Sequence, residues 1–129
     1  MNHEKESYIR YRIARAWDTL DDAKILASKK KWNSAINRLY YAAYYAVIAL
    51  LLKHELKPGT HNGAKTNFTE HFIKPRKIDK KYGKLYAQLF TWRQKGDYDD
   101  LFDFEEDQVS QYFEPVEQLI QLIENLIKE

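Results

Sequence analysis

Arg93 continues, by one step of four, the apolar positions Tyr82, Leu85, Tyr86 and Leu89, a spacing that carries its guanidinium to the inner side of a helix. A charge placed there needs a partner. Asp97, four residues on, could accept a salt bridge across one helical turn. Alternatively the planar fork of Arg93 could line a cleft and hold a phosphate. Spacing alone leaves both readings open. Tyr98 follows at once, and a phenol with an ordinary pKa near 10 is a poor general base at neutral pH, although it can help to hold an anion.

Four histidines could move protons. His61 follows Thr60 at a plausible helix start, a place that favours anions; its plainer alternative is a solvent-facing first-turn residue. His3 lies near a frayed terminus, and His54 falls in the last turn of a helix, where a cation suits the dipole. His71 has only Glu70 beside it, which is no metal-ligand pattern. The chain has no cysteine, so disulfides, thiolate zinc sites and cysteine nucleophiles are excluded. Neither a metal nor a cofactor is implied.

Lys74, Arg76, Lys77, Lys80, Lys81 and Lys84 form a local basic cluster, a candidate contact for RNA or an acidic partner, or simply a solvated face. Asp97, Asp99, Asp100, Asp103, Glu105, Glu106 and Asp107 crowd the exit of the Arg93 segment and would repel a polyanion. They lack the glycine and terminal glutamate of a calcium loop. Across the whole chain 21 basic and 19 acidic residues nearly cancel, so any affinity for nucleic acid must be local.

The elements that must position these groups are helical. Nothing alternates with period two for long enough to form a sheet, and 129 residues suit one domain spanning 1–129. The pattern Ile9, Ile13, Trp17, Leu20, Ala23, Ala27 predicts a first helix near 4–29, closed by Lys29, Lys30 and Lys31. Asn33 or Ser34 would cap a second, running to about Leu56 and stopped by Lys57, Pro58 and Gly59. Thr60 would cap a short third helix ending at Ile73 before Lys74-Pro75, and Asp79 would open a fourth ending near Gly96. Asp103 with Glu106 reads as a capping box for the fifth, inside which Pro115 predicts a kink or break.

The chain is therefore expected to be all-α, an up-and-down antiparallel bundle of about five helices, four long and one short. The second helix, apolar on nearly every side, belongs at its centre. Its uncharged run Leu39–Leu52 is shorter than the roughly 20 residues of a membrane span, and Met1–Ser7 has no signal-peptide core, so no membrane is implied and the expected location is cytoplasmic.

Three stretches resemble one family. They are Asn-Arg-Leu-Tyr-Tyr-Ala-Ala-Tyr-Tyr-Ala at 37–46, Thr-His-Asn-Gly at 60–63 and Arg-Gln-Lys-Gly-Asp-Tyr at 93–98. In this order they look like the HEPN domain family (higher eukaryotes and prokaryotes nucleotide-binding). The resemblance implies a helical bundle that forms a homodimer, often paired with a minimal nucleotidyltransferase as toxin and antitoxin. Many members are metal-independent ribonucleases. In these an arginine and, four to six residues on, a histidine line a cleft at the dimer interface, where a ribose 2′-hydroxyl attacks the adjacent phosphate. The arginine falls on Arg93, but Tyr98 occupies the histidine position after a four-residue spacer, and no histidine follows. His61 is the replacement available.

The expected function is thus nucleotide or RNA binding beside a nucleotidyltransferase-type partner, with Arg93, Asp97, Tyr98, Arg38, Tyr41 and Tyr45 as the candidate contacts. The alternative is a ribonuclease toxin using Arg93 with Tyr98 or His61. A third reading is a non-catalytic interaction scaffold.

Overall fold

A computed structural model describes residues 3–57, 59–98 and 102–129. Every regular element among them is helical: α1 His3–Ser28, α2 Trp32–Lys53, α3 His61–Phe68, α4 Lys80–Tyr98, α5 Glu106–Ser110 and α6 Phe113–Lys128. A π-helical turn, Thr69–Ile73, extends α3. The expected all-α bundle is what forms, with the expected fifth helix divided in two.

Side-chain ties fix the directions. Lys5 of α1 donates to Glu55 just beyond α2, so these helices run antiparallel. Trp17 bonds Glu124 and Lys24 bonds Glu117, which sets α6 antiparallel to α1. Asn37 reaches Asp97 while Tyr41 meets Arg93, so α4 is antiparallel to α2.

The second helix is central: α1, α3, α4, α5 and α6 all pack on it. Ala42, Ala43, Ala46 and Ala49 are fully buried and let the neighbouring backbones approach. At 22 residues α2 reaches membrane-spanning length, but helices of the same chain cover most of its surface.

Local chemistry sets the boundaries, in part as expected. Thr60 Oγ1 accepts from the Gly63 amide, and Asp79 Oδ1 accepts from the Lys81 amide, so both cap as expected. Asn33 does not cap α2, whose preceding residue, Lys31, offers no side-chain cap. The Asn33 amide instead donates to the Phe102 carbonyl and accepts from the Phe104 amide, pinning a distant segment. With Phe104 thereby held in the core, α5 cannot begin at Asp103. The capping box sits two residues later, between Glu105 and Gln108.

Three helical segments each close by a pair of backbone bonds around one left-handed residue; the first two end earlier than charge or proline suggested, while the third ends at Ile73 as expected. Lys30 (φ 59°), Glu55 (φ 61°) and Arg76 (φ 63°) occupy these positions. At Glu55, for example, its amide donates to Leu52 and that of Leu56 donates to Leu51. The second helix therefore stops at Lys53, not near Leu56, and the lysines at 29–31 lie beyond α1; Pro58 lies outside the described residues. Lys74 keeps helical dihedrals before Pro75, and the chain turns only at Arg76.

Gly96 does not end α4, which continues to Tyr98. A Cβ there would meet the Phe104 ring at 3.0 Å, so glycine permits the packing of α4 on that segment. Pro115 lies in the first turn of α6. Lacking an amide proton for the Gln111 carbonyl, it accounts for the break after α5.

Candidate functional site

The face of α2 that carries Asn37, Tyr40, Tyr41 and Tyr44, at helical steps of three and four, meets α4 on one side and the start of α3 on the other. Arg93 enters from α4 and His61 from the first turn of α3.

Arg93 is 7% exposed. Its guanidinium carbon lies 4.9 Å from the Tyr40 ring centre and 5.8 Å from that of Tyr41. Nη1 donates to the Tyr41 hydroxyl at a long 3.4 Å and stands 3.9 Å from Asp97 Oδ2, the outer limit of an ion pair. Nε is buried with no hydrogen-bond partner. Asp97 is held more tightly elsewhere, its two oxygens accepting from Asn37 Nδ2 at 3.2 and 3.1 Å. Pairing with Asp97 therefore exists but leaves the arginine fork largely uncommitted.

His61 Nδ1 is hydrogen-bonded to the Tyr40 hydroxyl at 2.8 Å, and its ring stacks on Tyr44 at 4.4 Å. Burial first, then the charge of Arg93, lower its pKa, so the imidazole is neutral at physiological pH. Burial pushes the Tyr40 phenol up to about 12 and raises that of Tyr44. Both hydroxyls therefore keep their protons. Tyr86, stacked on Tyr40 at 5.9 Å, is raised well above its ordinary value, again chiefly by burial.

The structure thus brings Arg93, Asp97, Tyr41 and His61 together. Arg38 joins from the side: its guanidinium lies 4.9 Å from the Tyr41 ring centre and donates twice to Asn37 Oδ1. Arg38, Asn37 and Asp97 share the wall of an open cleft of about 390 Å³. Tyr45 is one step further, 6.0 Å from Tyr41, and is covered by Arg12 and Arg15 instead. Tyr98 ends α4 at 75% exposure. Five residues from Arg93 it is turned roughly 140° around the helix, so the two do not share a face.

The other candidates lie apart. Burial and then Lys77, Lys53 and Lys5 lower the pKa of His54, so it is not the cation expected at the α2 terminus. His71 is exposed. Lys74 pairs with Glu70 at 2.7 Å, and the basic cluster opens α4 at Lys80, about 20 Å along the helix from Arg93. Of the acidic run, Asp99 and Asp100 lie outside the described residues, while Glu105 serves as a cap. Among the described residues no three histidine or carboxylate side chains gather as a metal site.

Asn37, Tyr40 and Tyr44 were not singled out individually as site residues. Their signal was the spacing 37, 40, 41, 44, which places four polar-tipped side chains on one stripe of a helix otherwise lined by alanine and leucine.

This arrangement can receive an anion. Arg93 and His61 both lie against the rings of Tyr40 and Tyr41, and the ordinary reason for burying an arginine, a close carboxylate, is here satisfied only at 3.9 Å.

The HEPN domain family matches residues 9–126. A Thermotoga maritima protein named "UPF0332 protein" is 41% identical over 127 residues, covering 98% of this chain and 96% of the relative. A Methanocaldococcus jannaschii protein named "Putative toxin MJ0605" is 31% identical over 129 residues, covering 100% of this chain and 96% of the relative. A second from that organism, "Putative toxin MJ0142", is 29% identical over 96 residues, covering 74% of this chain and 65% of the relative.

Proposed function

This chain belongs to the HEPN domain family, and from that premise we propose that it binds nucleotide or RNA phosphate at Arg93 and His61, as the toxin-like half of a two-protein module. The observation that carries this reading is the buried Arg93, set against the rings of Tyr40 and Tyr41 with no close carboxylate, while His61 lies 5.8 Å from each of the same two rings. Family resemblance supplies the setting: a homodimer with a minimal nucleotidyltransferase as partner. Relatives named as toxins favour the same setting.

Cleavage of RNA without a metal is the second reading, favoured by the bond between Tyr40 and His61. That bond permits two tautomers. With the Tyr40 hydroxyl donating to Nδ1, the imidazole presents Nε2–H to a phosphate and only binds. With Nδ1–H donating to Tyr40, the Nε2 lone pair is open and the ring is a general base. In that state Nε2 takes the 2′-hydroxyl proton, O2′ bonds to the adjacent phosphorus, and the P–O5′ bond breaks. The departing oxygen gains its proton from water or from the imidazolium that His61 has just become, leaving a 2′,3′-cyclic phosphate and a 5′-hydroxyl. Arg93 would neutralise charge on the phosphoryl oxygens. Tyr98, exposed and turned away, takes no part within one copy. Across a shared dimer cleft it remains a candidate contact.

Purified protein, titrated with mononucleotides and with single-stranded RNA, tests both readings. Binding lost in Arg93→Ala and in His61→Gln supports the site. Cleavage that disappears in His61→Gln while binding persists supports the enzyme. Protein that neither binds nucleotide at millimolar concentration nor cleaves RNA would leave the scaffold reading standing. Copurification with the product of the adjacent reading frame tests the partner.

A further inference from the structure

An unbroken strip of tyrosine rings and guanidinium groups leads away from Arg93 along the seam of α1 and α2. From Arg93 it passes to Tyr41, which Arg38 also covers, and then to Tyr45 at 6.0 Å. Arg15 lies 5.4 Å from the Tyr45 ring centre and Arg12 5.5 Å. Arg12 also lies 5.0 Å from Tyr8 and 5.8 Å from Tyr11. At the far end is a cavity of about 550 Å³ walled by Tyr8, Arg12 and Tyr44 over Ile48 and Leu52.

Two features of this strip are not explained by folding alone. Tyr8 and Tyr11 are 49% and 57% exposed although they are large and aromatic. Arg12 has a buried Nε with no hydrogen-bond partner, although its Nη2 donates to Tyr8 at 2.8 Å. Arginine stacked on tyrosine in alternation suits a ligand that is both flat and anionic at a regular interval.

We infer that this strip is a stacking platform for the bases of single-stranded RNA, the strand's phosphates running along Arg12, Arg15 and Arg38 toward Arg93. The inference rests on the proposed phosphate site and names its ligand: an unpaired strand, because bases in a duplex cannot reach the rings. A second copy of the chain fits the strip poorly. A twofold interface would set four arginines against the same four, with Glu4 at the cavity, Asp18 near Arg15 and Asp97 at the other end as three carboxylates to offset them.

The test compares a short unstructured oligoribonucleotide with an abasic ribose-phosphate strand of equal length. Wild-type protein should bind the base-bearing strand about tenfold or more tightly than the abasic one. Tyr8→Ala combined with Tyr11→Ala, both exposed positions at which folding is not at stake, should erase that preference, while Tyr8→Phe, which frees Arg12 from its 2.8 Å bond but keeps the ring, should retain it. Arg93→Ala should weaken both strands alike. Equal affinity for the two strands, or a preference that survives the double variant, overturns the platform; if both strands still require Arg93, the phosphate site stands without it. A preference that needs Tyr8 and Tyr11 but not Arg93 keeps the platform and removes the phosphate reading. Loss of RNA binding accompanied by a halved mass in light scattering overturns it too, assigning the face to a contact between copies.

Discussion

Burying a guanidinium with one donor unpaired costs free energy that an apolar side chain of similar length would not. Arg93→Met should therefore keep stability close to that of the wild type while weakening nucleotide binding by about 1.5–3 kcal/mol, the worth of a charged hydrogen bond. Urea unfolding beside calorimetric titration checks both halves. A steep fall in stability with unchanged binding would make Arg93 structural. His61 adds a pH dependence whose sign follows from its lowered pKa. Between its folded value and the ordinary value of about 6.5 the unfolded chain binds more protons, so the contribution of His61 is complete above that value and is lost as pH falls through the folded one. His54, also lowered, acts in the same direction. The urea midpoint should drop on acidification below about pH 6.5, and less so in His61→Gln. Arg93 was visible in the sequence because one helix sets its direction. The approach of His61 to Tyr40 was not, because the link from Lys53 to Thr60 decides where the start of α3 lands.

Helix ends divide by the reach of the groups that make them. Thr60 and Asp79 cap through amides two or three residues away, and such local bonds can be read from sequence. Asn33 looked equally suited, but its partners Phe102 and Phe104 are some 70 residues distant, and no local pattern announces them. That same tie, rather than propensity, moved the capping box from Asp103 to Glu105. The three left-handed closures were hidden for a different reason: glycine ordinarily marks them, and here lysine, glutamate and arginine stand in its place. A β-carbon in that conformation costs roughly 1–2 kcal/mol, partly offset by the greater freedom glycine brings to the unfolded chain. Lys30→Gly and Arg76→Gly should each raise unfolding free energy by about 0.5–1 kcal/mol. Glu55→Gly should gain less, because it also removes the exposed pair with Lys5. Denaturant midpoints of the three variants, measured together, test the ordering. Lower stability in the first two would show that their side chains do more than turn the chain.

The molecule is organised around α2, whose composition had foretold its place: a helix without a polar face has nowhere to go but the middle. Ala46, with no exposed surface, should not tolerate added volume, and Ala46→Leu should cost roughly 1–3 kcal/mol by overpacking. Unchanged stability would mean that α2 can shift to make room. What composition could not foretell is which aromatic groups the bundle leaves outside. Among the described residues, two large apolar or aromatic side chains away from the tyrosine–arginine strip are notably exposed, Ile25 at 60% and Tyr98 at 75%. Their chain neighbours Leu26 and Asp97 line one and the same cleft, so the ends of α1 and α4 lie at the same end of the bundle. Exposed aromatic and aliphatic side chains of this kind suit a twofold contact, since such groups are what an interface buries. Light scattering at tens of micromolar should therefore give the mass of two chains, and Tyr98→Glu or Ile25→Glu should return it to one. Each substitution places a carboxylate against its own copy at such an axis, where like charges have no water to screen them. A wild-type mass of one chain would remove the dimer and, with it, any cleft shared between two copies. A dimer indifferent to both substitutions would move the axis to another face.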